Sequence, residues 1–496
     1  MADAAAASRN LQNRAEAETK AADAEPVAPK ALGSAPTPHT ETMETESDAI
    51  YLKRMADAND VALNLADASF PADVQAPMQL REAIAFALSN NFEVKASAEK
   101  VRGSYWDKMG AYSQYLPSLE ASVASGSERS QPAAYNDATG TRVLDSTHHR
   151  RDRSIAVRQP LIDLGIIADI LSGTDREGVA KSDRRDVREG VAFDTISVFF
   201  GLLQSRIAIR LADQYKQYLD DLAARMKVRV DGGGATIADL ERVRSRSTLA
   251  DSARVEAMGE YQTNLSEFKR LTKIMPAQLV IPEVLVSPVP NEVQDAFEHA
   301  LKSNPSYVSS LGKISLAADD RNKFISGLLP KISAQYTKVF AYDAGGAAKG
   351  NPVDGVYPTQ TTEAVMLVAQ WSLGGTSVTG TLSSMAKTRE MNLRAQDVRA
   401  RIEEGVRAGY TAMNAARERQ AILIKAVNAN ESVVRGFEEQ YKSGGRSLFD
   451  ILDAQEQLYN SRLNLMRVTI AKAKASYQVR RQMGELVQSI MGSESE

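Results

Sequence analysis

The chain has 496 residues, enough for several domains, and 43% of them are hydrophobic, so it can form a packed core. A formal net charge of −3 gives no reason to expect a nucleic-acid partner. The absence of cysteine excludes thiolate metal sites, a cysteine nucleophile and a lipidated N-terminal cysteine, and it suits an oxidising compartment.

The N-terminal segment, residues 1–76, is rich in Ala, Asp, Glu, Thr and Pro and is predicted to be a flexible, disordered tail. Residues 1–20 lack the apolar stretch of a secretory signal. A removed signal, a misassigned start and a cytoplasmic protein therefore all stay open. No window approaches the roughly 20 apolar residues of a transmembrane helix, so a membrane location would require strands.

Two copies of one pattern follow the tail. The segment that begins at Leu80 recurs from Val293 with an offset of 213 residues, and further along Gly234 corresponds to Gly445 with an offset of 211. Several anchors in the same order with so little drift predict a tandem duplication. The two predicted structural repeats are residues 80–285 and 293–490.

Each repeat begins with a predicted helix that ends at a Leu-Pro dipeptide, because proline lacks a backbone donor and disfavours helix before it. The period then changes to two, which predicts a strand with one apolar face. The alternating apolar residues are Leu119, Ala121 and Val123 in the first copy and Ile332, Ala334 and Tyr336 in the second. The hairpins are predicted at about 117–161 and 330–373, with polar loops at 127–150 and 343–361.

Each repeat then runs as helix for more than sixty residues, about 166–230 and 376–442, or roughly 100 Å. Glycines break each run, and a second helix returns. We expect the tips of these helical hairpins at about 231–239 and 443–453. Such lengths are typical of coiled-coil arrays, and a soluble elongated coiled-coil scaffold is the alternative interpretation from another class of protein.

The second tip carries the most specific motif, Tyr441-Lys-Ser-Gly-Gly-Arg446-Ser-Leu-Phe-Asp450-Ile-Leu-Asp453. It is similar to the Gly-x-Arg/Ser-x-x-x-Asp-x-Leu-Asp-Ala signature of the TolC family of outer-membrane efflux and secretion channels. The first tip keeps a shorter version, Gly234-Ala-Thr236-Ile-Ala-Asp239. Together with the order of elements, the resemblance covers residues 80–490.

The resemblance implies a mainly α-helical protein with a membrane β-barrel portion. Three protomers would each contribute four strands to a twelve-stranded barrel, continuous with a long periplasmic α-helical barrel. The apolar strand residues Leu119, Ala121, Val123, Ile332, Ala334 and Tyr336 would then face outer-membrane lipid. Ser122, Ser333, Gln335 and Thr337 would line water.

The resemblance also implies a periplasmic gate at the second tip. By position, Tyr441 and Arg446 would tie this hairpin to its neighbours, and Asp450 and Asp453 would form inward-facing acidic rings that favour cations. A simpler interpretation places both aspartates in the first helical turn, where they favour the helix dipole. For the first-repeat tip residues Gly234, Thr236 and Asp239, turn and capping chemistry is an equal alternative to gating.

Other features carry less. His148 and His149 begin a basic stretch in a predicted external loop, which could touch lipid phosphates but is more simply a solvated loop. The four histidines offer no metal-ligand spacing, so no metal is expected. Trp106 is expected to pack on a helix and Trp371 to anchor the barrel rim. No phosphate loop, dinucleotide fingerprint or nucleophile elbow is present, so neither an enzyme nor a cofactor is expected.

The sequence thus predicts a homotrimeric exit duct in the outer membrane of a Gram-negative bacterium, extending into the periplasm. The expected partners are a periplasmic adaptor (membrane fusion) protein and an inner-membrane ABC or proton-driven transporter. The lack of an acylated cysteine and the form of the second tip favour type I protein secretion. Small-molecule or multidrug efflux is the alternative within the same class.

Overall fold

The computed structural model describes residues 48–55, 62–64, 74–130, 146–282, 285–342, 360–371 and 374–492. One series of elements occurs twice. The first copy comprises helices α1 (Leu80–Asn90) and α2 (Phe92–Ser113), strands β3 (Ser118–Ser130) and β4 (Ser146–Ile162), and helices α3 (Leu164–Asp231) and α4 (Ile237–Thr272). The second comprises α5 (Val293–Ser303), α6 (Pro305–Ser326), β6 (Lys331–Tyr342), β7 (Gln360–Gln370), α7 (Gly375–Lys442) and α8 (Leu448–Met483).

Four further short elements complete the described chain. They are strands β1 (Ala62–Asn64), β2 (Val74–Met78) and β5 (Pro276–Val280), and the C-terminal helix α9 (Leu486–Met491). The three strands form a small sheet of order β1-β5-β2. Because β5 follows α4, this sheet joins the start of the first repeat to its end.

Corresponding helices of the two repeats have equal lengths of 11, 22, 68 and 36 residues. The repeated asparagine explains one boundary. Asn91 ends α1 and caps α2, where its side chain accepts a hydrogen bond from the Glu93 amide at 2.8 Å. Asn304 does the same between α5 and α6, accepting from the Tyr307 amide at 3.1 Å. Such caps satisfy amide groups that a helix start leaves unpaired.

The larger sheet has the order β3-β4-β6-β7, and all its neighbouring strands are antiparallel. The strands extend beyond the predicted hairpins. Residues 127–130 and 146–150 pair with each other, so the predicted loop at 127–150 is wrong at both ends. The polar composition there did not end the strands, because in-register backbone pairing does not require apolar side chains. Most of the second predicted loop lies outside the described residues.

The main core lies where the long helices pass the small sheet. Phe199, Phe200 and Leu203 of α3 are fully buried there against α4, α8 and α9. Part of α3 is apolar and long enough to cross a membrane, but 61% of that stretch is buried inside the protein. Its hydrophobicity is therefore accounted for by the core.

The prediction of a flexible tail through residue 76 is wrong for its described parts. Residues 48–55 are helical, and Leu52 is fully buried in the main core. Asp48, also buried, pairs with Lys472 of α8 at 2.5 Å and accepts a hydrogen bond from Gln420 of α7 at 2.7 Å. The composition resembled a tail because the partners of this segment are more than three hundred residues away.

Candidate functional site

The two helical hairpins end in turns of the same geometry. In the first-repeat hairpin, α3 and α4, Gly233 has a φ of 75° and the Gly234 amide donates to the Arg229 carbonyl at 2.7 Å. In the second-repeat hairpin, α7 and α8, Gly444 has a φ of 82° and the Gly445 amide donates to the Gln440 carbonyl at 2.8 Å. Glycine is required at the left-handed position because a side chain there would be strained. The first turn is therefore no looser in form than the second.

Both return helices begin with a capping box. Thr236 caps α4, accepting from the Asp239 amide at 3.2 Å while the Asp239 carboxylate reaches back to it. Ser447 and Asp450 make the same reciprocal contacts at the start of α8. Reciprocal capping satisfies two amide groups at once. Asp239 and Asp450 thus have a structural role in this chain, whatever further role they have in gating.

Tyr441 joins the two hairpins within one chain. Arg229, near the end of α3, donates to the Tyr441 hydroxyl at 3.0 Å, and its guanidinium lies 5.5 Å from the ring centroid. The same hydroxyl contacts the Met226 sulfur at 3.2 Å. A tie between neighbouring hairpins at this position therefore exists inside the protomer. Its part in gating stays a prediction.

Arg446 behaves differently within the chain. Its Nε donates to the Gln440 side chain at 2.8 Å, and its guanidinium lies 4.4 Å from the Phe437 ring and 3.6 Å from the Asp450 carboxylate. All of these partners belong to its own hairpin. Among the described residues of this chain, Arg446 thus braces the second turn and does not bridge to the first hairpin.

Asp453 lies one turn beyond Asp450 on α8 and is exposed. No ion pair involves it among the residues that the structure describes. Because Asp450 is shared between the cap and Arg446, Asp453 offers the less neutralised carboxylate of the two. The ring assignment stays a prediction, with Asp453 as its stronger member.

Two further arginines of α4 contact α8 and were not singled out from the sequence. The guanidinium of Arg242 lies 3.8 Å from the Phe449 ring, and Arg246 forms an ion pair with Glu456. Their spacing of four places both arginines on one helical face. That spacing was the available signal, but only the structure shows which helix faces it.

These contacts cover a small apolar cluster near the tips. Leu448 and Leu452 of α8 are buried there with Leu222, Met226 and Leu240 of the first-repeat hairpin. The two hairpins are therefore held together by apolar packing as well as by the contacts of Arg229, Arg242 and Arg246. We call this contact region the seam.

Aromatic stacking extends the seam away from the tips. The rings of Tyr215 and Tyr459 stack with centroids 4.9 Å apart. Burial raises the pKa of Tyr215 to about 12, and the nearby Glu456 carboxylate adds to the rise. Asp220 has its pKa lowered by hydrogen bonds from Lys216 and Ser247. At neutral pH these groups are therefore a neutral phenol and a carboxylate, which suits a passive structural contact.

The six residues predicted to face lipid lie on one face of the larger sheet. By strand register, Leu119, Val157, Tyr336 and Val365 form one continuous row across the four strands. The other four, Ala121, Val123, Ile332 and Ala334, share that face. Ser122, Ser333, Gln335 and Thr337 lie on the opposite face. The sheet thus separates the two predicted sets, and the lipid contact itself stays a prediction.

The two tryptophans lie near the ends of this sheet. The Trp371 indole donates to the Leu328 carbonyl at 2.9 Å, which places it just after β7. Trp106 packs edge-on against Tyr105, with centroids 5.3 Å apart, but remains mostly exposed on α2. No group of three acidic or histidine side chains arranged for a metal occurs within the described ranges.

Comparison with known proteins supports the same fold. No protein-family model matches the chain. A curated relative, the outer membrane efflux protein BepC of Brucella suis, is 20% identical over 420 residues, which cover 83% of this chain and 87% of BepC. Outer-membrane channels of this kind are not enzymes.

Solved structures agree over nearly the whole chain. The CmeC outer membrane channel of Campylobacter jejuni aligns with a TM-score of 0.69 at 14% identity, covering 93% of this chain and 94% of CmeC. The open-state MtrE outer membrane channel of Neisseria gonorrhoeae aligns with a TM-score of 0.68 at 12% identity, covering 87% and 96%. The resemblance to TolC-family channels and the expected fold are confirmed.

Proposed function

We propose that three copies of this chain form an outer-membrane exit duct that conducts substrate passively from an inner-membrane transporter and its periplasmic adaptor to the exterior. The observation that carries this proposal is the four-stranded sheet with two open edges. Within the described residues, β3 and β7 each have one neighbour. Open edges are not tolerated in lipid, because their backbone groups would lack hydrogen-bond partners.

Three copies close the sheet without changing its pattern. Since strand directions alternate along the order β3-β4-β6-β7, the last strand of one copy would run antiparallel to β3 of the next. Twelve strands meet the even number seen in bacterial barrels. One face of each sheet carries the apolar rows and the other the polar residues, as an outer-membrane barrel around water requires.

The tips are the proposed adaptor contact, at about 225–245 and 436–456. They expose large apolar side chains that a solvated helix end does not need: Val228 is 72% exposed, Ile237 69% and Phe449 56%. Exposed apolar groups clustered at one end are typical of interaction sites. The energy for export would come from the transporter, because the duct has no proposed chemistry.

Cysteine cross-linking tests the trimer, because the chain has no native cysteine. Ser122→Cys on β3 and Thr362→Cys on β7 lie two strands apart within one sheet, roughly 14 Å. A short bis-maleimide should link the double variant into dimers and trimers and no larger species. Each single variant is the control and should remain uncross-linked. A double variant that stays monomeric in membranes would refute the barrel.

Two cargo classes are open to the same duct. The name of the Brucella relative favours small-molecule efflux, and the likeness of the second tip to the TolC signature favours type I protein secretion. Deleting the gene separates them. Increased sensitivity to small toxic compounds with unchanged culture-supernatant proteins supports efflux, whereas loss of a secreted protein with unchanged sensitivity supports secretion. A strain unchanged in both respects would contradict the export role.

A further inference from the structure

The end of the larger sheet farthest from the helices carries a cluster of arginines on its apolar face. Helices α2 and α6 lead into the strands, and α3 and α7 leave them, all at the opposite end. Arg151 and Arg153 of β4 and Arg129 of β3 lie near the far end and are exposed. By register they share the face of Leu119 and Val157.

The height of these arginines follows from the register. Arg153 pairs with Phe340, eight residues beyond Ile332 on β6, and Arg151 pairs with Tyr342, ten residues beyond it. At about 3.4 Å per residue and a strand tilt of about 40°, these positions are roughly 20 and 26 Å above Ile332. An outer-membrane barrel has an apolar band about 25 Å tall. The two arginines thus lie at its outer boundary.

The charge on this face is strongly one-sided. Among its described residues the single acidic side chain is Glu363, which already pairs with Lys338 at 3.4 Å and accepts from the Tyr336 hydroxyl at 2.7 Å. The Arg153 guanidinium lies 5.5 Å from the Tyr342 ring, a contact that leaves its donors available to oxygen ligands. The face therefore has an uncompensated positive cluster next to its apolar rows.

The opposite face of the same strand handles its arginine in another way. Arg150 pairs with Glu128 at 2.8 Å and with Asp152 at 3.0 Å, so its charge is balanced within the protein. The second repeat has no such cluster, because Phe340 and Tyr342 occupy the outer end of β6. The arginines are thus a feature of the first-repeat hairpin and not a consequence of the fold.

We propose that Arg151 and Arg153, supported by Arg129, bind the phosphate groups of an anionic lipid headgroup in the outer leaflet. Guanidinium groups bind phosphate oxygens in a bidentate manner. Acyl chains of the same lipid would cover the adjacent apolar rows, so one ligand satisfies both parts of the surface. This inference rests on the proposed barrel, and the trimer would carry three such sites.

The test uses the purified trimer in a non-ionic detergent, with native mass spectrometry to measure retained lipid. The probes are diphosphorylated lipid A, phosphate-free lipid A and inorganic phosphate. Diphosphorylated lipid A should be retained preferentially. The double variant Arg151→Gln, Arg153→Gln should bind it about thirtyfold more weakly, since each basic residue at an anionic membrane surface contributes a factor of about five.

Arg158→Gln is the matched control, because Arg158 lies on the same strand but on the opposite face. It should leave lipid A binding within about twofold of the parent. Equal retention of phosphate-free lipid A, an unchanged double variant, or an equal loss in the control would each overturn the proposal. A trimer that inserts in bilayers yet shows any of these results refutes only the lipid site, whereas a failure to form trimers refutes the duct.

Discussion

Removing one partner of the buried ion pair at Lys472 should release the N-terminal helical segment. Lys472 and Asp48 side chains are only 6% and 4% exposed, and their charged atoms are 2.5 Å apart. Lys472 also donates to Gln420 at 2.8 Å. Lys472→Met would leave the Asp48 carboxylate buried without its cation, which costs about 3–5 kcal/mol.

That cost converts into a measurable opening of residues 48–55. A loss of about 3 kcal/mol raises the open fraction by roughly two orders of magnitude. Lys53 and Arg54 lie in the segment, so trypsin reports its opening when cleavage follows local unfolding. Cleavage of the folded protein after either residue, followed by mass spectrometry, should accelerate by about a hundredfold in Lys472→Met.

Two variants make this prediction sharp. Lys474→Met changes a partly buried lysine on the same helix, has no ion pair among the described residues to lose, and should leave cleavage close to the parent. Combining Lys472→Met with Asp48→Leu replaces the pair by apolar groups and should restore most of the protection, because no lone charge is then buried. Cleavage of Lys472→Met within about twofold of the parent would show that the pair does not anchor the segment.

Three further outcomes follow from the described contacts. Burial raises the pKa of Glu189 to about 7, so the folded protein holds a proton that the unfolded chain loses above about 4.5; its stability should fall as pH rises between these values, and Glu189→Gln should flatten that part of the melting temperature profile. Asp453→Ala should weaken cation block and change conductance in planar bilayers more than Asp450→Ala, and identical traces for both variants and the parent would discard the acidic ring. Tyr441→Phe, which loses a cross-hairpin hydrogen bond, should enlarge channel openings more than Arg446→Ser, whose partners lie in its own hairpin; the reverse order would contradict the seam assignment.

Local pattern predicted much of this molecule. The recurrence of Asn91 at Asn304 and of Gly234 at Gly445 reflects caps and turns, which depend on residues a few positions apart and are therefore legible in a sequence. The alternation at Leu119 is legible for the same reason, because strand period is local. The family resemblance then supplied the number of strands and the position of the tips.

The remainder depended on contacts between distant parts of the chain. Asp48 and Lys472 are 424 residues apart, so an acidic, alanine-rich segment could not be distinguished from a tail. Arg246 and Glu456 belong to different repeats, and nothing in either helix indicates the other. The polar outer ends of β3 and β4 were assigned to a loop, because backbone pairing between polar residues leaves no periodic apolar signal.

The equal helix lengths of the two repeats restrict how such a chain can change in size. Deleting one residue from α3 would move everything beyond it by about 1.5 Å and rotate it by about 100°, which separates the seam contacts from their partners on α7 and α8. Deletions of about seven residues preserve the facing surfaces but shorten the hairpin by roughly 10 Å, which the second repeat must match. The reach of this protein can therefore evolve only in paired steps of whole heptads, and a mismatch between repeats would tilt one tip away from the other.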